Sequence, residues 1–415
     1  MATAPAPEGP WRDRGRPLRC GRNGSIDAHP TRDESGRLHL LWKSNANRFR
    51  RHTTIFAQRL REDGKHLLGR PRALIRNDRR WEGRVVEAPT VLRRPDGYLY
   101  MLYSADLCCT KRCRYSVGVA RSRKLFGPWR KFEDNPILEG GNGWSCPGHT
   151  GVVDDGAGGS VAFFHAYREG AERLAGRQLL AAPLTFGDEG WPAIGEGRPP
   201  PPAPGAAGAS FQDDFSGPLA PEWEWPLARV PGKRTGDGLL LTAARKVRPE
   251  KGRDRERVRP RRIDGGVLSR RVTTGAYAAI AVVDTRTLRR RSSAGVSSFR
   301  SGSEAVGVAV ERGRVLIWSI RKGRYRALRS QAAPRSRLVH LRMVARGRRF
   351  RFESSPDGRS WRRLGPALTA PVQESARVAL TVGGERRARA RFVSAELDES
   401  REPGSTGSAG AASIP

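Results

Sequence analysis

Three segments of one pattern recur along this chain: Gly36–Ser44 (GRLHLLWKS), Gly97–Ala105 (GYLYMLYSA) and Gly159–Arg168 (GSVAFFHAYR), each behind an acidic, Gly-containing turn. Upstream of them, in the same register, stand Asp27 in SIDAHP, Glu87 in VVEAPT and His149 in PGHTGV. Each unit closes on a further apolar run, Ile55–Leu60, Val117–Ser122 and Leu179–Leu184, equally spaced both times. A repeat long enough for several short strands is the sequence form of a β-propeller blade. Blades share a central channel lined by their first strands, so polar residues at matching positions converge there. In this chain those residues are Asp, Glu and His.

The 415 residues are enough for two domains, each able to bury a core, and 37% apolar content argues for a folded chain. No run approaches the length of a membrane span, and the N-terminal MATAPAPEGPWRDRGRP has no apolar core of a secretory signal. The formal charge of +35 comes from 77 Lys and Arg, of which only 9 are Lys. That skew reads first as a compositional habit, and the densest run, Lys251–Arg262 (KGRDRERVRPRR), as a solvated loop that carries no specific nucleic-acid code. Attraction to an acidic polysaccharide is the alternative. The five cysteines lack zinc spacing. A bridge from Cys113 to Cys108 or Cys109 would suit an exported protein, and a reduced set is the other reading.

Turns rich in Gly, Asp and Pro alternate with strands throughout, and no helical period appears. The expected organisation is all-β: an incomplete five-bladed β-propeller of about three blades over 1–194, a Pro/Gly/Ala linker over 195–210, a β-sandwich over 211–399 and a disordered tail over 400–415. Eight strand-like segments mark the sandwich: GLLLTAA, GVLSRRV, AYAAIAVVDT, AVGVAVE, RVLIWSI, LVHLRMVA, RFRFESS and RVALTVG. Trp223, Trp225, Trp318 and Trp361 could stack on sugar rings, but core or hairpin packing is the expected role. His165 lies inside a strand and reads as structural.

Two carboxylates at matching positions of adjacent blades suit acid-catalysed glycoside cleavage, where one carboxyl must keep a proton near neutral pH and a neighbouring charge helps it do so. Glu87, between Val86 and Ala88-Pro89, is the candidate acid. Asp27 is the neighbour that tunes and orients it.

The runs GSIDAHPTRDESGRLHLLWKS, WEGRVVEAPTVLRRPDGYLYMLYSAD, YSVGVARSRKLFGPW and PGHTGVVDDGAGGSVAFFHAYR resemble, in order and spacing, the later blades of family 43 glycoside hydrolases. That family comprises five-bladed propellers acting as β-xylosidases, α-L-arabinofuranosidases and arabinanases on plant hemicellulose. The resemblance covers roughly residues 10–194. It implies an inverting acid/base mechanism with Glu87 as general acid and Asp27 as its modulator. His149 would lie on the channel floor beside the sugar, where some members hold calcium or its waters, and Arg168 would be a second substrate contact. A polysaccharide or oligosaccharide substrate and an extracellular setting follow from the same resemblance. FQDDFSGPLAPEWEWP, together with LVHLRMVARGRRFRFESSPDGRSWRRLG, resembles the concanavalin-like jelly roll that often accompanies such propellers.

The family's general base is an Asp in a first-blade motif that this sequence lacks. Asp13 lies in a stretch resembling the exit of a second blade and is not assigned that role. The first blades are therefore expected to be missing. A truncated, non-catalytic carbohydrate-binding propeller stands as the alternative function, with a basic polyanion-binding module over 245–349 as a third.

Overall fold

The computed structural model describes residues 1–7, 9–109, 113–170, 176–202, 210–226, 233–243, 266–289, 292–370, 376–384 and 388–399. Helix among them is confined to short 3-10 turns such as Ala46–Phe49 and Arg80–Glu82. The chain divides into two units, the first holding Met1–Gly170 and Arg177–Pro202 and the second running from Ala203. The basic run 251–262 and the tail 400–415 lie outside the described residues.

The first unit opens with a short antiparallel pair, β1 (Ala2–Thr3) and β2 (Arg12–Asp13). Three four-stranded antiparallel sheets follow, each with its strands in chain order. The first is β3 (Ser25–Arg32), β4 (Leu38–Ser44), β5 (Thr54–Leu60) and β6 (Leu67–Arg76). The second is β7 (Val86–Arg93), β8 (Leu99–Ala105), β9 (Ser116–Ser122) and β10 (Arg130–Lys131). The third is β11 (Trp144–Asp154), β12 (Ser160–Arg168), β13 (Gln178–Phe186) and β14 (Pro192–Ile194). These are the propeller blades read from the repeat.

Side chains on a strand alternate between faces, and in the middle blade both faces are covered. The whole of β8 is buried. Leu99, Met101 and Tyr103 join Leu41 and Ile55 of the first blade in one core, while Tyr100 and Leu102 join Ala162 and Phe164 of the third in another. The acidic turns tie each hairpin. Asp33 Oδ1 accepts from the backbone N–H of Ser35 and Arg37 at 2.9 and 3.0 Å. Asp155 Oδ1 does the same for Ala157 and Gly159.

A buried charge cluster clips the outer strand of the second blade to that of the first. Lys131 Nζ donates to Arg76 O at 2.6 Å, to Asp78 Oδ1 at 2.7 Å and to Glu82 Oε2 at 2.8 Å. Glu82, fully buried, also accepts from Tyr103 Oη at 2.7 Å, and burial with this carboxylate raises the Tyr103 phenol far above its ordinary value.

Two expectations need revision. Cys113 is bonded to Cys146 on β11, with Cα atoms 6.0 Å apart, and Cys108 to its neighbour Cys109, so no bridge joins Cys113 to Cys108 or Cys109. Folding brings β11 against the loop after β8, a proximity that sequence distance conceals. The Pro/Gly/Ala segment also begins as part of the third blade. Glu139 N donates to Gly197 O, Asn142 Nδ2 to Pro199 O and Trp144 Nε1 to Pro200 O, so Gly195–Pro202 is fastened there, and 203–209 lie outside the described residues.

The second unit is a sandwich of two antiparallel sheets. In spatial order the first runs Gly266–Arg271, Arg377–Gly383, Ser293–Ser301, Glu304–Glu311, Arg314–Arg321 and Arg324–Ala332. The second has Arg389–Asp398 and Ala276–Asp284 at its centre. Val306, Val308 and Ile317 meet Leu341, Met343 and Phe392 in the core between them. Trp318 and Trp223 are buried, Trp225 packs on that core and Trp361 lies under the Arg342 guanidinium at 4.0 Å, which are packing roles.

Removing one partner of a buried ion pair strands the other charge, at a cost of about 3–5 kcal/mol. Lys131→Met is expected to destabilise the first unit by that amount in calorimetric unfolding, and adding Glu82→Gln to recover part of the loss.

Candidate functional site

The first strands β3, β7 and β11 carry the same irregularity. Their register slips between Ile26 and His29, between Glu87 and Thr90, and between Gly148 and Gly151. Each slip is a β-bulge whose first residue takes a left-handed backbone: Asp27 (φ 57°), Ala88 (φ 52°) and His149 (φ 53°). The interval from Asp27 to Ala88 equals that from Ala88 to His149, so the structural repeat aligns these three. Glu87 stands one residue earlier, at the position of Ile26 and Gly148. The sequence reading, which set Glu87 level with Asp27 and His149, mixed two neighbouring positions of one bulge.

This offset decides how the carboxylates meet. Ala88, left-handed, presents its N–H to Asp27 Oδ2 at 3.0 Å, binding the second blade's bulge to the first blade's carboxylate. Burial raises the Asp27 carboxyl above its ordinary value, and the charge of Glu87 raises it further. His149, the Ala88 N–H and Lys43 pull the other way. The expected trio Asp27, Glu87 and His149 thus shares one electrostatic environment. Glu87, its side chain 14% exposed, accepts from Lys43 Nζ at 2.5 Å on Oε2 and from Tyr115 Oη at 2.7 Å on Oε1.

Support comes from matching places on the second strands. Lys43, Ser104 and His165 pair with Ile26, Glu87 and Gly148, and are themselves evenly spaced by the same repeat. Ser104 Oγ accepts from the His149 N–H at 2.8 Å. The His165 ring lies parallel to Tyr115 with centroids 5.9 Å apart, and its Nε2 accepts from Arg177 Nη1 at 3.0 Å. Burial, with Arg177 and His149 adding to it, pushes His165 down to about 3, so it is neutral near neutral pH. The Tyr115 phenol, buried beside Glu87, is raised well above its ordinary value and stays a donor. Between the rims, Val91 N–H donates to His29 Nε2 at 3.1 Å and Thr90 Oγ1 to Thr150 O at 2.5 Å.

A Cβ at residue 148 would fall inside the Tyr115 ring, so only glycine there lets the phenol reach Glu87. Arg168, at the end of β12 opposite Trp144, is partly exposed, and no described contact joins it to the carboxylates. Asp13 is exposed on β2 and accepts from Gly15 N at 3.0 Å. A calcium ion takes six to eight oxygen ligands, whereas His149 offers nitrogen. Among the described residues no group of three or more His, Cys, Asp or Glu is placed to hold a metal ion.

Lys43, Tyr115, Ser104 and Arg177 were not singled out from the sequence. Lys43 did leave a signal, a single ammonium in the mostly apolar LHLLWKS, since a buried charge requires a partner.

Comparison with known proteins gives the following. Residues 1–192 match the profile of Glycosyl hydrolases family 43. The chain is 30% identical over 120 residues to extracellular endo-alpha-(1->5)-L-arabinanase 1 of Bacillus subtilis, covering 27% of this chain and 35% of that protein. It is 29% identical over 135 residues to extracellular exo-alpha-(1->5)-L-arabinofuranosidase ArbA of Cellvibrio japonicus, covering 30% and 38%. The chain thus spans well under half the length of these two relatives. Among solved structures, a xylan beta-1,4-xylosidase from Bacillus halodurans superposes with a TM-score of 0.70 at 18% identity, over 96% of this chain and 80% of that one. A mutant of the family 43 protein BlXynB from Bacillus licheniformis gives 0.72 at 20%, over 96% and 79%. At such identities the likeness carries the fold alone.

Two outcomes follow from the geometry. The folded protein holds the Asp27 proton more tightly than the unfolded chain does. Its stabilising contribution is therefore complete in acid and is lost as pH rises from the ordinary aspartate range through the raised folded value. Asp27→Asn, which still accepts from the Ala88 N–H, should raise the urea midpoint at neutral pH and leave it unchanged in acid below that range. Gly148→Ala should cost about 1–3 kcal/mol in the same assay, the usual penalty of overpacking.

Proposed function

Because residues 1–192 match the profile of glycosyl hydrolase family 43, we propose that this protein is a glycoside hydrolase cleaving arabinofuranosyl or xylosyl linkages of plant hemicellulose by an acid/base mechanism with inversion. The observation that carries the reading is the convergence of Asp27 and Glu87 across the first two blades through the Ala88 N–H. Glu87 is the acid that protonates the leaving glycosidic oxygen. Asp27 supplies the neighbouring negative charge and fixes the Ala88 peptide beside the acid. His149, whose backbone is pinned by Ser104, faces the sugar, and Arg168 is a more distant contact.

Inversion needs a second carboxylate about 6.5–9.5 Å from the acid to activate water. Neither Asp13, exposed on β2, nor any motif of the repeat supplies it, so on this reading the base comes from outside these three blades. The arabinanase and arabinofuranosidase relatives carry "extracellular" in their names. An exported enzyme acting on a polysaccharide or its oligosaccharides agrees with that, as does the Cys113–Cys146 bond. The unlocated base favours a second reading, a propeller that binds such sugars without cleaving them.

The test is hydrolysis of the unactivated disaccharides arabinobiose and xylobiose by the protein and by Glu87→Gln. Turnover that falls about 10²- to 10⁴-fold in the variant supports the hydrolase, this being the usual share of general acid catalysis. Sugar binding without turnover in either protein supports the binding reading.

A further inference from the structure

We propose that Lys43 is a positioning residue for Glu87, holding the acid's Oε2 and meeting the negative charge that Glu87 acquires when it gives up its proton. The proposal rests on the reading of Glu87 as the general acid and adds a residue that this reading does not contain.

Lys43 is 1% exposed in the middle of the first blade, its neighbours in the sheet being Ile26 and Ile55. Its ammonium reaches across to Glu87 Oε2 at 2.5 Å. An apolar residue of similar volume would serve a purely structural core at least as well, because desolvating an ion pair commonly cancels its attraction. The location argues for more than structure. At the same place in the second blade, Ser104 pins His149, and in the third, His165 stacks on the ring of Tyr115, which holds Glu87 from its other oxygen. In all three blades this second-strand position supports the functional edge, and in the first it carries a positive charge.

The chemistry uses that charge. The proton leaves Glu87 for the glycosidic oxygen, the electrons of the broken anomeric C–O bond pass to that oxygen, and an incoming nucleophile takes the vacated carbon: water, giving its proton to the base that this reading places outside the three blades, or azide, which has none to give. Glu87 ends as a carboxylate with a cation already in place, and preorganised charge of this kind favours the transition state over the ground state.

The experiment measures kcat and KM for the protein, Lys43→Met, Lys43→Arg, Glu87→Gln and the Lys43→Met/Glu87→Gln pair. Two kinds of substrate are used: nitrophenyl glycosides, whose leaving group needs little protonation, and the unactivated disaccharides arabinobiose and xylobiose. Azide is included as external nucleophile, so that turnover does not depend on the base. The expected result is a kcat loss of about tenfold or more on the disaccharides with Lys43→Met. A smaller loss on the nitrophenyl glycosides, little change in KM and partial rescue by Lys43→Arg should accompany it. In the Glu87→Gln background Lys43→Met should add nothing, since it acts through Glu87. Equal losses on both kinds of substrate, or the same loss with and without Glu87, would make Lys43 structural and overturn the proposal. Should Lys43→Met fail to fold, Lys43→Gln takes its place. No turnover by the unaltered protein even with azide would overturn the hydrolase reading itself, and this role with it.

Discussion

The left-handed residue at the start of each first-strand bulge is the constraint from which the rest of the site follows. A non-glycine residue held there costs of the order of 1–3 kcal/mol, and three are kept in register at Asp27, Ala88 and His149. Each is over-determined by a neighbour. Asp27 and Ala88 bind one another across a blade boundary, and His149 is bound from Ser104. The bulge turns Ala88's amide toward Asp27 and leaves Glu87, one residue earlier, to meet Lys43 and Tyr115. Without the bulge a regular strand would send alternate side chains to opposite faces, and the adjacent members of this cluster would part.

The excess of arginine has a visible use in the sandwich. Asp284, nearly buried, accepts from Arg337 and lies within ion-pair distance of Arg286 and Arg391. Glu353 is ringed by Arg342, Arg351 and Arg363 in the same way. Each of these two carboxylates is neutralised by several guanidinium groups whose long stems cover apolar surface. A high formal charge is therefore in part scaffolding.

The repeat made the blades legible, because turn aspartates and glycines mark their ends and β8 reads as a strand that is apolar and aromatic but for Ser104. The sandwich strands that were recognised share that apolar density. Among those passed over, Arg324–Ala332 is a mostly exposed edge reading RYRALRSQA, Ser293–Ser301 is rich in serine, and Arg389–Asp398 sets its buried Ala390, Phe392, Ala395 and Leu397 among polar residues. At the site, Asp27, Glu87 and His149 were legible because chemistry and spacing nearly coincide. The true register of the repeat was not, since Ala88, the residue matching Asp27, has no polar side chain to announce it. Tyr115 and the Cys113–Cys146 bond depend on contacts between blades, which no local pattern encodes.

Every member of the trio is completed by the blade beside it: Asp27 by Ala88, Glu87 by Lys43, His149 by Ser104. The blades look like interchangeable modules in the sequence, but chemically the boundary between two of them is the unit. Recombination that exchanged the second blade alone would preserve every hairpin and still divide each of these pairs. Such a protein diversifies more readily by altering the outer strands and loops, or by inheriting adjacent blades together.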